Sequence, residues 1–158
     1  MPIRSYIGLG ANLGDPRETI QVALRELAAT PDLTILKVAP LYASAPIDSS
    51  GPNYINTVAS LDTSLGPQEL LAVLQKIELL HGRERPYINA PRTLDLDLLL
   101  YDDITLNTPM LTIPHPRMHL RAFVLQPLRD IAGNMTLSQG SLDTLLAQCK
   151  DQGLSPLP

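Results

Sequence analysis

Residues 93–101 read TLDLDLLLY, and the surrounding stretch 90–103 reads APRTLDLDLLLYDD. Leucines at 94, 96, 98 and 100 alternate with Thr93, Asp95, Asp97 and Leu99. A period of two is the mark of a strand with two different faces. Asp95 and Asp97 therefore point the same way, their Cα atoms about 6.6–6.8 Å apart at the usual rise of a strand. Two readings stay open at this level. The acids are the wet side of a half-buried antiparallel sheet, or they converge on a hard divalent cation such as magnesium, which takes one or two carboxylates together with phosphate oxygens.

The rest of the chain narrows the choice. Its 158 residues suffice for one domain with its own core, spanning 1–158, at 44% hydrophobic and 18% charged. No apolar run approaches the ~20 residues of a membrane span. The N-terminus MPIRSYIGLG lacks a signal-peptide core, so a soluble, cytoplasmic protein with no membrane partner is expected. Cys149 is the only cysteine, which excludes a disulfide framework or a thiolate metal cluster. Twelve basic against 16 acidic residues argue against a nucleic-acid partner. Yet between Lys76 and Lys150 there is no lysine, while Arg83, Arg85, Arg92, Arg117, Arg121 and Arg129 all fall there. Arginine presents a planar fork of donors suited to phosphate. Guanidinium groups flanking an acidic pair point to a phosphate and metal site.

Along the chain, SYIGLG at 5–10 reads as a strand. A helix follows, with Asp15 as N-cap, Pro16 at its first position, Glu18 closing a capping box, and an apolar stripe of Ile20, Ala23, Leu24 and Leu27. Residues 33–42 are strand-like, with Pro40 implying a bulge or an edge. Residues 44–53 read as a loop, and 54–63 alternate again, placing Tyr54 and Asn56 on one face. A second capped helix starts at Pro67 and stops at Gly82. Residues 83–91 are a loop, the aspartate strand follows, then a turn in YDDITLN, a long loop over 107–122, and a last short helix over 141–149. Strand, helix, strand, strand, helix, strand is the ferredoxin-like βαββαβ order. The expected fold is α+β, with helices packed on a mainly antiparallel sheet and extra C-terminal elements.

Other chemistries find little support. Gly8, Gly10 and Gly14 in GLGANLG are spaced one residue too widely for a dinucleotide fingerprint, and no GK[ST] marks a P-loop. A tight strand-to-helix turn is the better reading there, with Asn12 lining a pocket. His81, His115 and His119 lack zinc-ligand spacing. His115, set between two prolines near arginines, suits a phosphate donor. No nucleophile motif is present. Phosphoryl-type transfer needs none, because it proceeds by positioning and charge neutralisation. Asp95 and Asp97 supply its metal side, and Arg83, Arg85 and Arg92 its guanidinium side.

The motif PRTLDLDLL, with IELLHGRER upstream and IPHPRMHLRAFVLQPL downstream, resembles the 6-hydroxymethyl-7,8-dihydropterin pyrophosphokinase family. The resemblance runs from YIGLGANLGD through YASAPIDSSGPNYINTVASLDT to Leu128. It implies transfer of the pyrophosphoryl group of ATP to the pterin hydroxymethyl oxygen, with release of AMP, two Mg2+ ions, and a folate-pathway role; a monomer is expected. By the same resemblance Asp95 and Asp97 are the metal ligands, and Arg83 and Arg92 engage the transferring group. Gln75, Glu78, Arg85, Leu98, Thr112, His115 and Arg121 match positions around the nucleotide. Asn12, Ser44, Pro46, Ile47, Tyr54, Asn56 and Phe123 match the pterin pocket.

The chain departs from the family pattern in two places. Ile88 and Asn89 stand where the family carries a basic residue followed by tryptophan, in a loop about one residue short, and the chain has no tryptophan. Tyr87 is expected to restore part of the aromatic cover. SAP at 44–46 replaces Thr-Pro-Pro. The competing readings are a non-catalytic pterin or nucleotide-binding module of the same fold, and a metal-dependent nuclease, which the acidic net charge disfavours.

Overall fold

A computed structural model describes residues 2–12, 14–44, 54–81 and 94–157. Strand β1 (Ile3–Ala11) leads into helix α1 (Pro16–Ala28), then β2 (Leu33–Val38), β3 (Tyr42–Ser44), β4 (Tyr54–Thr63), α2 (Pro67–Leu80) and β5 (Asp95–Tyr101). After these come β6 (Leu106–Asn107), β7 (Thr112–Ile113), a 3-10 turn at Met118–Leu120, α3 (Ala122–Ala132), β8 (Thr136–Leu137), β9 (Gly140–Ser141), α4 (Leu142–Ala147) and β10 (Ser155–Pro156). The main sheet has the order β10-β3-β4-β1-β5, with β2 also on β4, and every pairing is antiparallel. This is the ferredoxin-like α+β arrangement expected from the order of elements.

The helix starts follow their local signals except that the capping box expected from Glu18 does not close, its carboxylate lying 3.6 Å from Arg25 instead. The Asp15 carboxylate accepts from Glu18 N–H at the start of α1, with Pro16 in the first turn, where its missing N–H costs nothing. Glu69 reaches back to accept from Gly66 N–H at 2.9 Å and so closes the start of α2. The strand expected over 33–42 is interrupted at Ala39–Leu41, around Pro40, and both of its halves lie on β4.

The sheet is covered on both faces, and alternation decides which residue goes where. Ile7 and Leu9 of β1 and Leu94, Leu96 and Leu98 pack with α1 and α2. Val58, Leu99 and Leu100 pack with Met118, Leu125 and Leu128 on the other face, where α3 and α4 lie. Each of these leucines contributes roughly 1.5–3 kcal/mol by leaving water. Strict alternation puts Leu100 with Leu98, and the structure corrects this. Tyr6 is opposite Leu100 and Ile7 opposite Leu98, so Leu99 is an extra residue in a bulge. The bulge turns Leu99 and Leu100 to the same side.

Two further differences from the sequence reading lie downstream. The long loop over 107–122 contains the β6–β7 hairpin, closed by Thr108 Oγ1–H donating to Leu111 C=O, and the 3-10 turn. Two-residue strands are too short to show a period. Helix α3 passes through Pro127, which has no N–H to give to the carbonyl four residues back, so the pattern FVLQPL does not announce it. The last helix is shorter than expected, 142–147 rather than 141–149. Of the loop expected over 44–53, Ser44 instead ends β3, while the rest of it, the loop over 83–91 and the stop at Gly82 lie outside the described residues.

Candidate active site

The register of β1 against β5 builds the site. Gly10 stands opposite Asp95 and Gly8 opposite Asp97. Both glycines stay inside the strand and do not form a turn; of the three glycines in GLGANLG, Gly14 alone has a positive φ, of 65°. Because these two positions carry no side chains, the sheet has a bare floor beside the two carboxylates. A cavity of about 160 Å³ opens over this floor, lined by Asp95 and Asp97 from β5, Ser44, Tyr54 and Asn56 from β3 and β4, and Arg121 and Phe123 from the start of α3. The face of Asp95 and Asp97 is therefore neither open solvent nor core. Both residues are half-buried in a cleft.

The walls are polar where the sheet supplies them and aromatic where the helix does. Asn56 Nδ2–H donates to Ser44 Oγ at 2.8 Å, and both residues are buried. This bond leaves Asn56 Oδ1 to face Gly10, whose lack of a Cβ makes room for it. At the end of β1, Asn12 is 2% exposed, and neither its Oδ1 nor its Nδ2 has a hydrogen-bond partner among the described residues. An unmet buried amide costs about 1–3 kcal/mol, and Asn12, expected to line a pocket, is not among the residues that line this cavity or the one that adjoins it. Across the cleft the Arg121 guanidinium lies 5.5 Å from the centre of the Phe123 ring. That contact holds the cation and the aromatic face together.

A second cavity, of about 230 Å³, adjoins the first through Asp97, which lines both. Leu71, Leu98, Met110, Thr112 and His115 also line it. His115 is held by its backbone N–H, which donates to Leu99 C=O at the bulge at 2.9 Å. Its Nδ1 accepts from Arg117 N–H at 3.1 Å, so the ring proton of the neutral form sits on Nε2. Burial, then the Arg121 and Arg117 charges, push the imidazole down to about 4 against a weaker opposing effect of Asp95. At neutral pH His115 is thus a neutral N–H donor and not a cation.

Glu78 takes a different place from that of a lining residue. It is 4% exposed on the inner side of α2, and its Oε2 accepts from Leu96 N–H at 2.9 Å. Strand β5 ends the sheet on this side, so Leu96 has an amide that no neighbouring strand takes. Glu78 thereby fixes the residue between the two aspartates. Gln75, half-buried on the same helix, follows Leu71 by one turn.

Of the residues singled out in the sequence, Asp95, Asp97, Ser44, Tyr54, Asn56, Arg121 and Phe123 come together in the first cavity, and Leu98, Thr112 and His115 in the second. Arg83, Arg85, Arg92, Pro46, Ile47, Tyr87, Ile88 and Asn89 lie outside the described residues. Sequence reasoning missed the role of Gly8 and Gly10 as the floor, although their spacing of two matches that of the aspartates. It also missed Leu71 and Met110, which nothing in an apolar pattern marks as lining residues.

The donors fit a divalent cation that is only partly held by protein. Two carboxylates share one strand face, and among the described residues no group of three His, Cys, Asp or Glu forms a cage. Magnesium binds in this way, completing its shell with phosphate oxygens and water.

Comparison with known proteins gives the family. The sequence profile described as 7,8-dihydro-6-hydroxymethylpterin-pyrophosphokinase (HPPK) matches residues 6–133. The 2-amino-4-hydroxy-6-hydroxymethyldihydropteridine pyrophosphokinase of Pseudomonas aeruginosa is 46% identical over 157 residues, covering 98% of this chain and 97% of that one. The protein of the same name from Haemophilus influenzae is 39% identical over 147 residues, 92% of each chain. Among solved structures, wild-type Plasmodium falciparum HPPK-DHPS with pteroate superposes with a TM-score of 0.74 at 14% identity, covering 94% of this chain and 42% of that one. The chain thus spans about two fifths of that structure, which bears on the fold alone. With a profile match over most of its length and near-full-length relatives of one name, the chain belongs to the 7,8-dihydro-6-hydroxymethylpterin-pyrophosphokinase family.

Proposed function

We propose that this protein transfers the pyrophosphoryl group of ATP to the hydroxymethyl oxygen of 6-hydroxymethyl-7,8-dihydropterin and releases AMP, the pyrophosphokinase step of folate biosynthesis. The observation that carries this reading is the position of Asp97 on the boundary between two cavities. One offers an amide and an aromatic face suited to a flat, hydrogen-bonding heterocycle, and the other a hydroxyl, a neutral imidazole and apolar walls suited to a nucleoside. The reaction joins two substrates across the carboxylates.

In that reaction the substrate hydroxymethyl oxygen attacks the β-phosphorus of ATP. The bond from the β-phosphorus to the α,β-bridging oxygen breaks, that oxygen leaves with AMP, and the hydroxyl proton is released. Asp95 and Asp97 would hold Mg2+, two ions in this reading, which when bound neutralise charge on the phosphate oxygens. Asn56, oriented by Ser44, would hydrogen-bond the pterin edge while Phe123 stacks on its ring. Asn12, whose amide has no hydrogen-bond partner among the described residues, would offer a second amide to the pterin. His115 Nε2–H and Thr112 would donate to the nucleotide, with Gln75 and Leu98 beside it, whereas Arg121, matched to the nucleotide by resemblance, lines the first cavity next to Phe123. Glu78 contributes at one remove, through Leu96. Arg83, Arg85 and Arg92 are assigned to the triphosphate, and Pro46 and Ile47 to the pterin, by their match to the family motifs.

The enzyme is further proposed to work as a cytoplasmic monomer of one domain. No helix among the described residues is long and apolar enough to cross a membrane. The test is product analysis with ATP, Mg2+ and the hydroxymethyl dihydropterin. AMP without ADP supports the reading, ADP would indicate a single-phosphate kinase, and neither product would indicate a binding module.

A further inference from the structure

We infer that Gln152, beyond the end of the family match at residue 133, is a positioning residue for the cavity wall that carries Arg121 and Phe123. Helix α3 starts abruptly. Its first residue is Ala122, and Arg121 before it is extended, with φ −120° and ψ 109°, and offers no side-chain cap. A helix start leaves backbone N–H groups without partners, which a neighbouring side chain must meet. Gln152 meets one of them from 30 residues away. Its Oε1 accepts from Ala122 N–H at 2.9 Å, and its Nε2–H donates to Leu120 C=O at 2.7 Å. The two bonds fix the orientation of the amide, because the first partner can only donate and the second can only accept. The side chain therefore pairs with the backbone on both sides of Arg121, as a neighbouring strand would. Arg121 is held extended between those bonds, and Phe123, two residues on, carries the ring to which the guanidinium is packed at 5.5 Å.

The backbone of Gln152 is itself anchored on both sides. Gln152 N–H donates to Cys149 C=O at 3.1 Å, and Cys149 is buried in the core beneath α3. On the other side β10 pairs with β3, Ser155 opposite Ala43, and Leu157 N–H donates to Leu41 C=O at 3.0 Å. Ser44, the next residue of β3, lines the facing wall of the same cavity. The segment from Gln152 to Leu157 thus ties together the two walls between which the pterin is proposed to lie. It sets their separation without touching the substrate.

The inference rests on the pyrophosphokinase reading for its kinetic readout and on geometry alone for its spectroscopic one. Gln152 is exposed and fills no core, so Gln152→Ala should fold. In the full-length chain this variant is expected to raise KM for the hydroxymethyl dihydropterin roughly tenfold, the factor that about 1.4 kcal/mol of lost binding produces. Its kcat should stay within about threefold of wild type, and its Tm should be little changed. Gln152→Glu keeps the acceptor for Ala122 N–H and loses the donor to Leu120, so a smaller rise is expected. Phe123 is the only phenylalanine in the chain, so one isotope-labelled phenylalanine reports on this wall alone. Its ring signals should shift and broaden in Gln152→Ala. A wild type that makes AMP, with KM and the Phe123 signals unmoved in Gln152→Ala, overturns the inference, as does a fall in Tm with KM unchanged. A wild type that makes no AMP sinks the functional reading instead, and the Phe123 signals still decide the role of Gln152.

Discussion

Gly10 lies so close to Asn56 that a Cβ on residue 10 would sit 2.9 Å from Asn56 Oδ1. Real Cβ atoms do not approach that near, and Asn56 cannot retreat without disturbing its bond to Ser44. Gly10→Ala is therefore expected to turn the Asn56 amide, raising KM for the pterin about tenfold, as loss of one oriented hydrogen bond does. Gly8→Ala makes the contrast for stability, since the nearest atoms to its Cβ would be those of the Leu99 side chain, from 3.6 Å, an ordinary van der Waals contact. Melting curves should show Gly10→Ala less stable than Gly8→Ala. The reverse order would mean that the floor of the cavity is not where the constraint lies.

Asp97 lines both cavities, whereas Asp95 lines only the first. Asp97→Asn should reduce turnover by about 10³-fold, the scale at which a metal ligand neutralises phosphate charge. The fold should be spared, because Asp97 is half-buried on the cleft face and not in the core. Turnover measured over a range of Mg2+ together with Tm separates the roles. A large loss of Tm would make the acids structural.

The reach of the sequence follows from what each feature depends on. Period two in β5 and in 54–63 depends only on neighbouring residues, so the strands, and Tyr54 with Asn56 on one face, could be read directly. The caps at Asp15 and Glu69 are equally local. The bulge at Leu99 could not be read, because it arises from how β5 registers with β1 across more than 90 residues. The same holds for Gly8 and Gly10: their spacing was visible, yet their meaning needed the pairing that sets them opposite the aspartates. Glu78 was placed near the nucleotide by resemblance, and only the folded arrangement reveals that its carboxylate takes an edge amide between the two acids. Helix α3 was hidden by Pro127, which local rules read as a breaker.

That edge amide leads to a third expectation. Glu78→Ala leaves Leu96 N–H without its acceptor, at a cost of about 1–3 kcal/mol. It also frees the segment that aims both carboxylates, and a misplacement of about 1 Å can lower a rate about 10²-fold. Glu78→Gln retains an acceptor at the same reach and should lose less of both. Thermal unfolding and AMP formation, measured on the two variants side by side, check this. Equal damage from the two substitutions would contradict the positioning role.

His115 gives the fourth expectation, through pH. In the fold burial and the Arg121 and Arg117 charges hold its pKa at about 4, below the ordinary 6.5. Between those values the unfolded chain carries a proton on this residue that the folded chain does not. Stability from this group is therefore fully present above about pH 6.5 and is lost as the pH falls toward 4. Denaturant unfolding from pH 7 to 4 should show that decline, and His115→Gln should flatten it, since glutamine does not titrate. The nucleotide should act in the opposite sense. A bound triphosphate places negative charge beside the ring and favours its protonation, so the imidazole pKa read by NMR should rise when ATP and Mg2+ are added. A titration midpoint that stays at about 4 with saturating nucleotide would remove His115 from the second cavity's contacts with the triphosphate.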